Sequence, residues 1–167
     1  MLSRLAAVVT RFRREDDGQL TVLVLGYSAI AILLIVVGMD ASAAFLARRA
    51  LTAAADDAAV AAAGAVDRSA VYRGGLACGQ PLPLDSGRAE AQAAESVDSD
   101  VDLRHSFSAV ATPITTVAGP TVTVALAGRA RLPLGGVIGL LDPSARGGVT
   151  ITVTSHAQSP TVAPGGC

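Results

Sequence analysis

The sequence predicts an α+β fold on a single-pass membrane anchor: one long N-terminal helix, a short helix and a small antiparallel sheet of about three strands. Three observations predict it. Leu20–Met39 runs for twenty residues without a charge. Residues 40–68 are rich in alanine and contain no proline. Thr121–Leu132 and Val149–Ser159 alternate side chains at period two, the signature of half-buried strands. A chain of 167 residues is long enough for one modest domain plus an anchor.

Composition narrows the function classes. Half of the residues are hydrophobic (51%) but only 3% are aromatic, so alanine and valine carry the count. A soluble core usually takes its volume from Leu, Ile and Phe. The balance fits a membrane span, an alanine-rich helix and a Val/Thr-rich sheet instead. A net charge of −1 offers no basic excess for nucleic acid.

The elements follow in chain order. In residues 1–14, Leu2, Leu5, Val9 and Phe12 fall on one helical face among Arg4, Arg11, Arg13 and Arg14. This suits a basic amphipathic segment at an anionic bilayer surface, or a simple cytoplasmic tail. Leu20–Met39 would extend about 30 Å as a helix, the hydrocarbon thickness of a bilayer. Four arginines precede it, and Arg48 and Arg49 lie beyond it. The positive-inside rule therefore places the N-terminus in the cytoplasm and the C-terminal region outside, in the cell membrane as a single pass. The small residues Ala41–Ala43 resemble a signal cleavage site, but the apolar run exceeds the about 7–15 residues of a signal core.

Residues 40–68 predict a helix that continues the span, since alanine has the best helix propensity. Leu51, Ala55, Ala58, Ala62 and Ala65 recur at three- and four-residue spacing as a helix-packing stripe. Arg48, Arg49, Asp56, Asp57 and Asp67 lie mostly off that stripe. A stripe of small residues lets another backbone approach closely, so it suits a sheet or a neighbouring helix. Tyr72–Gly87 is a loop by its glycine and proline content, and Arg88–Val97 a short helix. Val101–Ile114 alternates roughly, Gly119–Pro120 marks a turn, and Thr121–Leu132 is a strand. Pro133–Gly148 is a loop with an apolar tip, and Val149–Ser159 a last strand. The predicted organisation is a lead (1–19), a span (20–39), a helical continuation (40–68), an extracytoplasmic α/β region (69–159) and a tail (160–167).

No set of residues announces chemistry. His105 and His156 stand apart, outside any paired-histidine or HExxH context. Asp56 and Asp57 are adjacent and point about 100° apart on a helix, which leaves them on a solvated face. Asp98–Asp102 resembles a calcium loop faintly but lacks its glycine and closing glutamate. Cys78 and Cys167 have no metal-ligand spacing, and in an oxidising compartment they could pair. The expectation is a non-enzyme with no cofactor, no metal and no small-molecule substrate, whose first partner is the lipid bilayer.

Three segments carry a family resemblance. Arg13–Gln19 (RREDDGQ), the span closing on Val37–Leu51 (VGMDASAAFLARRAL) and Leu51–Ala65 (LTAAADDAAVAAAGA) together resemble the TadE/TadG-like proteins of the tight-adherence (Flp) pilus machinery. The similarity covers about residues 11–66, and the later strands are similar in pattern only. It implies a pilin-like layout and a membrane-tethered, non-catalytic component of a pilus or secretion assembly. The partners it implies are other subunits of that assembly, or copies of the chain meeting through the long helix. Some relatives are cut by a prepilin peptidase after a glycine, which would here be the Gly18–Gln19 junction. This chain carries Leu23 where a processed pilin has glutamate, so an uncleaved anchor of the TadG N-terminal kind fits better. A single-pass envelope protein whose outer domain binds a ligand or partner is the alternative.

Overall fold

A computed structural model describes the backbone of residues 2–74, 78–133 and 148–162, with side chains from residue 20 onward except Gly74. The chain divides into two units, Met1–Ala41 and Ser42–Cys167. One helix, α1 (Leu2–Ala63), supplies the first unit and the opening of the second. The amphipathic face expected over residues 1–14 and the apolar tip of the Pro133–Gly148 loop lie outside the residues whose side chains are described.

In the first unit α1 offers its apolar side chains outward. Leu23, Leu25, Ile32 and Leu34 are all exposed. It is the one described helix long and apolar enough to cross a membrane, and none of its most apolar stretch is buried. Such a surface is unstable in water and stable in lipid, where a helix satisfies every backbone group internally.

In the second unit α1 turns from solvent to core. Its end comes at Ala63, five residues short of the predicted Arg68, because Gly64 stops it. The Gly64 N–H is shared between the carbonyls of Val60 and Ala61, and the Ala65 N–H bonds Ala62. Such tightened, shared bonds are the usual way a last helical turn closes. The chain then runs through a Val66–Leu84 bridge into α2 (Arg68–Gly74), which lies in a segment predicted partly as loop. Helix α3 (Ser86–Ser99) covers the predicted short helix and starts earlier, because Asp85 caps it by accepting the Arg88 N–H at 3.1 Å.

The alternation expected from Val101 is corrected by α4 (Val101–Ser106). Asp100 accepts the N–H groups of Asp102 and Leu103. Asp102 in the first turn and Arg104 and His105 in the last complement the helix dipole. Local capping therefore overrides a weak period-two pattern over these six residues.

The sheet is antiparallel with four strands: β1 (Phe107–Val110), β2 (Ile114–Ala118), β3 (Thr121–Ala130) and β4 (Val149–Gln158). Strand β3 is central. Its whole length pairs with β4, from Thr121↔Gln158 to Ala130↔Val149. On the other edge β2 pairs with Thr121–Ala125 and β1 with Gly128–Ala130. Strands β1 and β2 are thus two pieces of one row, which reconciles four strands with the predicted three. Pro113, which has no N–H to give to a ladder, lies in the break between them. The tail is not free at its start: the Gly79 N–H donates to the Val162 carbonyl, the Val162 N–H to Gln80 and the Leu82 N–H to Pro160, beside a Pro81–Thr161 bridge.

The core lies between α1, α3 and one face of the sheet. Val122, Val124, Leu126 and Ala130 of β3 point into it. Ala89, Ala93 and Val97, spaced every four residues, supply α3's share. Most of α1's share is alanine, which loses no side-chain entropy on burial and permits close approach of the helix to the sheet.

Candidate functional site

The long helix is the candidate site, and its sides do different things. On the sheet-facing side the predicted stripe is buried throughout: Leu51, Ala55, Ala58 and Ala62 are fully enclosed and Ala65 nearly so. Ala47, Ala54, Ala59 and Ala63 widen it. Leu51 marks how tight the packing is. A Cβ built on Gly128 of β3 would fall 2.7 Å from the Phe107 ring and 3.4 Å from a Leu51 methyl. The stripe is therefore covered from within the chain, with Leu51 against the sheet and α3's Ala89, Ala93 and Val97 in the same buried cluster. Residues 51–65 of this face are not free to meet another subunit, which narrows the partner surface the sequence suggested to the outward sides of α1.

One polar contact pins helix to sheet. The Ser155 hydroxyl on β4 donates to the Asp56 carboxylate on α1. Asp56 is exposed, as its sequence position implied, but it is more than a solvated charge. Adjacent Asp57 makes no such contact among the described side chains. Ser155→Ala removes a charge-assisted donor at the rim of the core and is expected to cost about 1 kcal/mol. Chemical denaturation of the full chain in detergent checks it, and Asp56→Asn should cost no more than the serine change.

Outward, α1 stays uncharged past the charged residue that ends the sequence run. Asp40 is only 3% exposed. Phe45 and Leu46, which follow it, are 67% and 64% exposed. Ser42 is the exposed polar residue before them; exposed charges begin at Arg48 and Arg49, and Thr52, Asp56 and Asp57 are exposed beyond. Hydropathy along the chain gave no sign of this offset, because a sliding sum counts Asp40 wherever its side chain points.

The other candidate residues are placed as follows. Gly18 and Gln19 lie within α1, with their side chains outside the described residues. Cys78 is disulfide-bonded; Cys167, the chain's only other cysteine, lies outside the described residues. His156 sits on the exposed face of β4, where its Nδ1 is 2.8 Å from the Thr123 hydroxyl across the strand pair. His105 belongs to α4 rather than to the lead of a strand. Of the acids at Asp98–Asp102, Asp100 is occupied as a cap. No cluster of three metal-ligating side chains occurs among the described residues. A cleft of about 370 Å³ opens between α3, α4 and β1, with Val97, Leu103 and Phe107 on its floor and Asp98, Arg104 and Arg131 among its polar groups.

Among the described residues, Asp67 is the group whose acidity is clearly shifted. The Ser69 hydroxyl, then the Ala70 and Ser69 N–H groups and the Arg73 guanidinium, hold its carboxyl below the usual value. The folded form thus binds its proton less readily than the unfolded chain. Its support of α2 is complete above the unfolded carboxylate range, about pH 4, and is lost as pH falls through the lower folded value. Asp67→Ala is expected to fray α2 at neutral pH, read as faster amide exchange at Ser69–Val71. Exchange in α3 should not change.

No family model matches the chain, and no curated protein or solved structure is similar to it.

Proposed function

We propose that the chain is a membrane-anchored structural or accessory component of a Tad (Flp) type pilus or secretion assembly, with no catalytic step of its own. The observation that carries this is the double use of α1. Its first part is a lipid-compatible helix, and its last part is the central core element of a small α/β unit. A component built this way needs no hydrolytic or redox group: it tethers a folded unit by the helix that organises it. The resemblance of residues 11–66 to TadE/TadG-like proteins supplies the assembly.

The topology we propose has the N-terminus in the cytoplasm and the sheet on the far side of the membrane. The arginines before the span support it. So does the disulfide at Cys78, because such bonds persist in oxidising compartments and are rare in the cytosol. The rest of the reading predicts an uncut anchor rather than a chain processed at Gly18–Gln19.

Deleting the gene in its own host and counting surface filaments tests the assembly. Loss of filaments, restored by the full chain, is the expected result. Normal filaments and normal secretion would overturn it. The mature N-terminus, sequenced from the membrane fraction, separates the two anchors: a chain beginning at Gln19 would make it a processed, filament-entering subunit. The alternative, an envelope protein whose outer domain binds a ligand, draws on the cleft between α3, α4 and β1. Unchanged filaments in the deletion, together with a phenotype from Arg104→Glu at the cleft, would favour it.

A further inference from the structure

We propose that Phe45, Leu46, Arg48 and Arg49 form a membrane-interface patch, in which the two apolar side chains enter the acyl region and the two guanidinium groups engage lipid phosphates. The proposal deepens the anchor reading and rests on it.

The sequence puts the end of the span at Met39, since Asp40 is the first charge after it. The structure moves the exposed boundary. Asp40 is buried, so its carboxylate is withheld from the surface that would meet lipid. About one and a half helical turns further on, Phe45 and Leu46 are as exposed as Leu23 and Leu34 inside the span. In water such a pair is a liability. Continuous with a lipid-facing helix, it is an extension of the same surface. Between Asp40 and this pair the exposed polar side chain is the small, uncharged Ser42; the first exposed charges are Arg48 and Arg49, followed by Thr52, Asp56 and Asp57, with Ala53 exposed among them.

The lengths agree with this placement. Leu20 to Ala47 along α1 amounts to roughly 42 Å at the helical rise. That exceeds the hydrocarbon core, about 30 Å, and matches the core together with its headgroup regions, about 40–45 Å. Arg48 and Arg49 then fall at headgroup depth. Their long aliphatic stems can lie along the apolar boundary while the charged ends reach phosphate, and Arg offers a bidentate fit to it. Neither arginine has an ion-pair partner among the described residues. Lipid is the occupant that continuity with the span and the sign of the charge both select.

The test uses the full chain with its disulfide intact, reconstituted in vesicles of phosphatidylcholine and phosphatidylglycerol. Single cysteines replace Ile30, Leu46 and Ala53 in turn, and each carries a small environment-sensitive fluorophore. Quenching is read with phospholipids brominated near the headgroup or near the acyl terminus, and with aqueous iodide. The expected pattern has Ile30→Cys quenched most by the deep bromine, Leu46→Cys by the shallow bromine, and Ala53→Cys by iodide alone. Arg48→Glu with Arg49→Glu should reduce the shallow quenching at position 46 at least twofold. If position 46 behaves like position 53 while position 30 stays lipid-quenched, the patch is wrong and the anchor stands. If position 46 is shielded from both lipid and iodide, a protein surface covers it and the lipid assignment fails. If position 30 is not quenched by either lipid, the anchor reading falls, and the patch falls with it.

Discussion

Gly148→Ala is expected to destabilise the second unit by about 4 kcal/mol and to detach the start of β4 from β3. Gly148 has φ +93°, a conformation L side chains rarely adopt. A Cβ there would lie 2.0 Å from the Ala130 carbonyl oxygen, and backbone cannot rotate away as a side-chain tip can. The two faults add: strain of about 1–3 kcal/mol at a positive φ, and a similar cost for forcing strands apart. Position 148 precedes Val149, whose partner in the ladder is Ala130 itself. The damage should therefore begin at that end of the β3–β4 pair. Hydrogen exchange on Val149–Ile151 should accelerate far more than at Ser155–Ala157. Gly26→Ala is the control, since a Cβ there meets nothing within 4 Å. An unchanged denaturation midpoint for Gly148→Ala would mean that the strand entry is looser than this geometry requires.

Cys78→Ser is the second large effect, and about 4 kcal/mol of stability should be lost with it. A crosslink acts chiefly on the unfolded chain, and its contribution rises slowly with the length of the closed loop. The loop between Cys78 and the chain's other cysteine, Cys167, takes in the whole sheet. The folded state should also loosen locally. Gly79 and Gln80 hold Val162, and Leu82 holds Pro160, by backbone hydrogen bonds of 3.0–3.1 Å, next to the crosslinked position. Treating the natural chain with a thiol reductant should reproduce the Cys78→Ser midpoint, and reductant should leave that variant unaffected. A natural chain indifferent to reductant would remove the disulfide from the account of stability. The same bond reports topology. In intact host cells the cysteines should resist alkylation until reduced, as expected outside the cytosol.

Much of this architecture was legible in the residues alone, because it rests on local properties. Twenty uncharged residues make a lipid-compatible helix in whatever context they occur. Alternation in Thr121–Leu132 and Val149–Ser159 places two strands, since period two puts one face in a core regardless of its partner. Alanine at three- and four-residue spacing marked the buried face of α1. The turn at Gly119–Pro120 lies between β2 and β3, where the sequence put it.

Other features depended on what those faces meet. Periodicity showed that the Leu51–Ala65 stripe had to be covered, but only the tertiary structure showed the cover to be the chain's own sheet and α3. Asp56 looked solvated until β4 brought Ser155 to it from almost a hundred positions away. The strand expected at Val101 gave way to a helix because Asp100 satisfied its free N–H groups, and a cap outweighs weak alternation over six residues. The end of the uncharged surface is the sharpest case. A sequence sums charge along the chain, and by that sum Asp40 ends the span. A bilayer would meet only exposed surface, and on that surface, with Asp40 buried, α1 carries no charge up to Leu46.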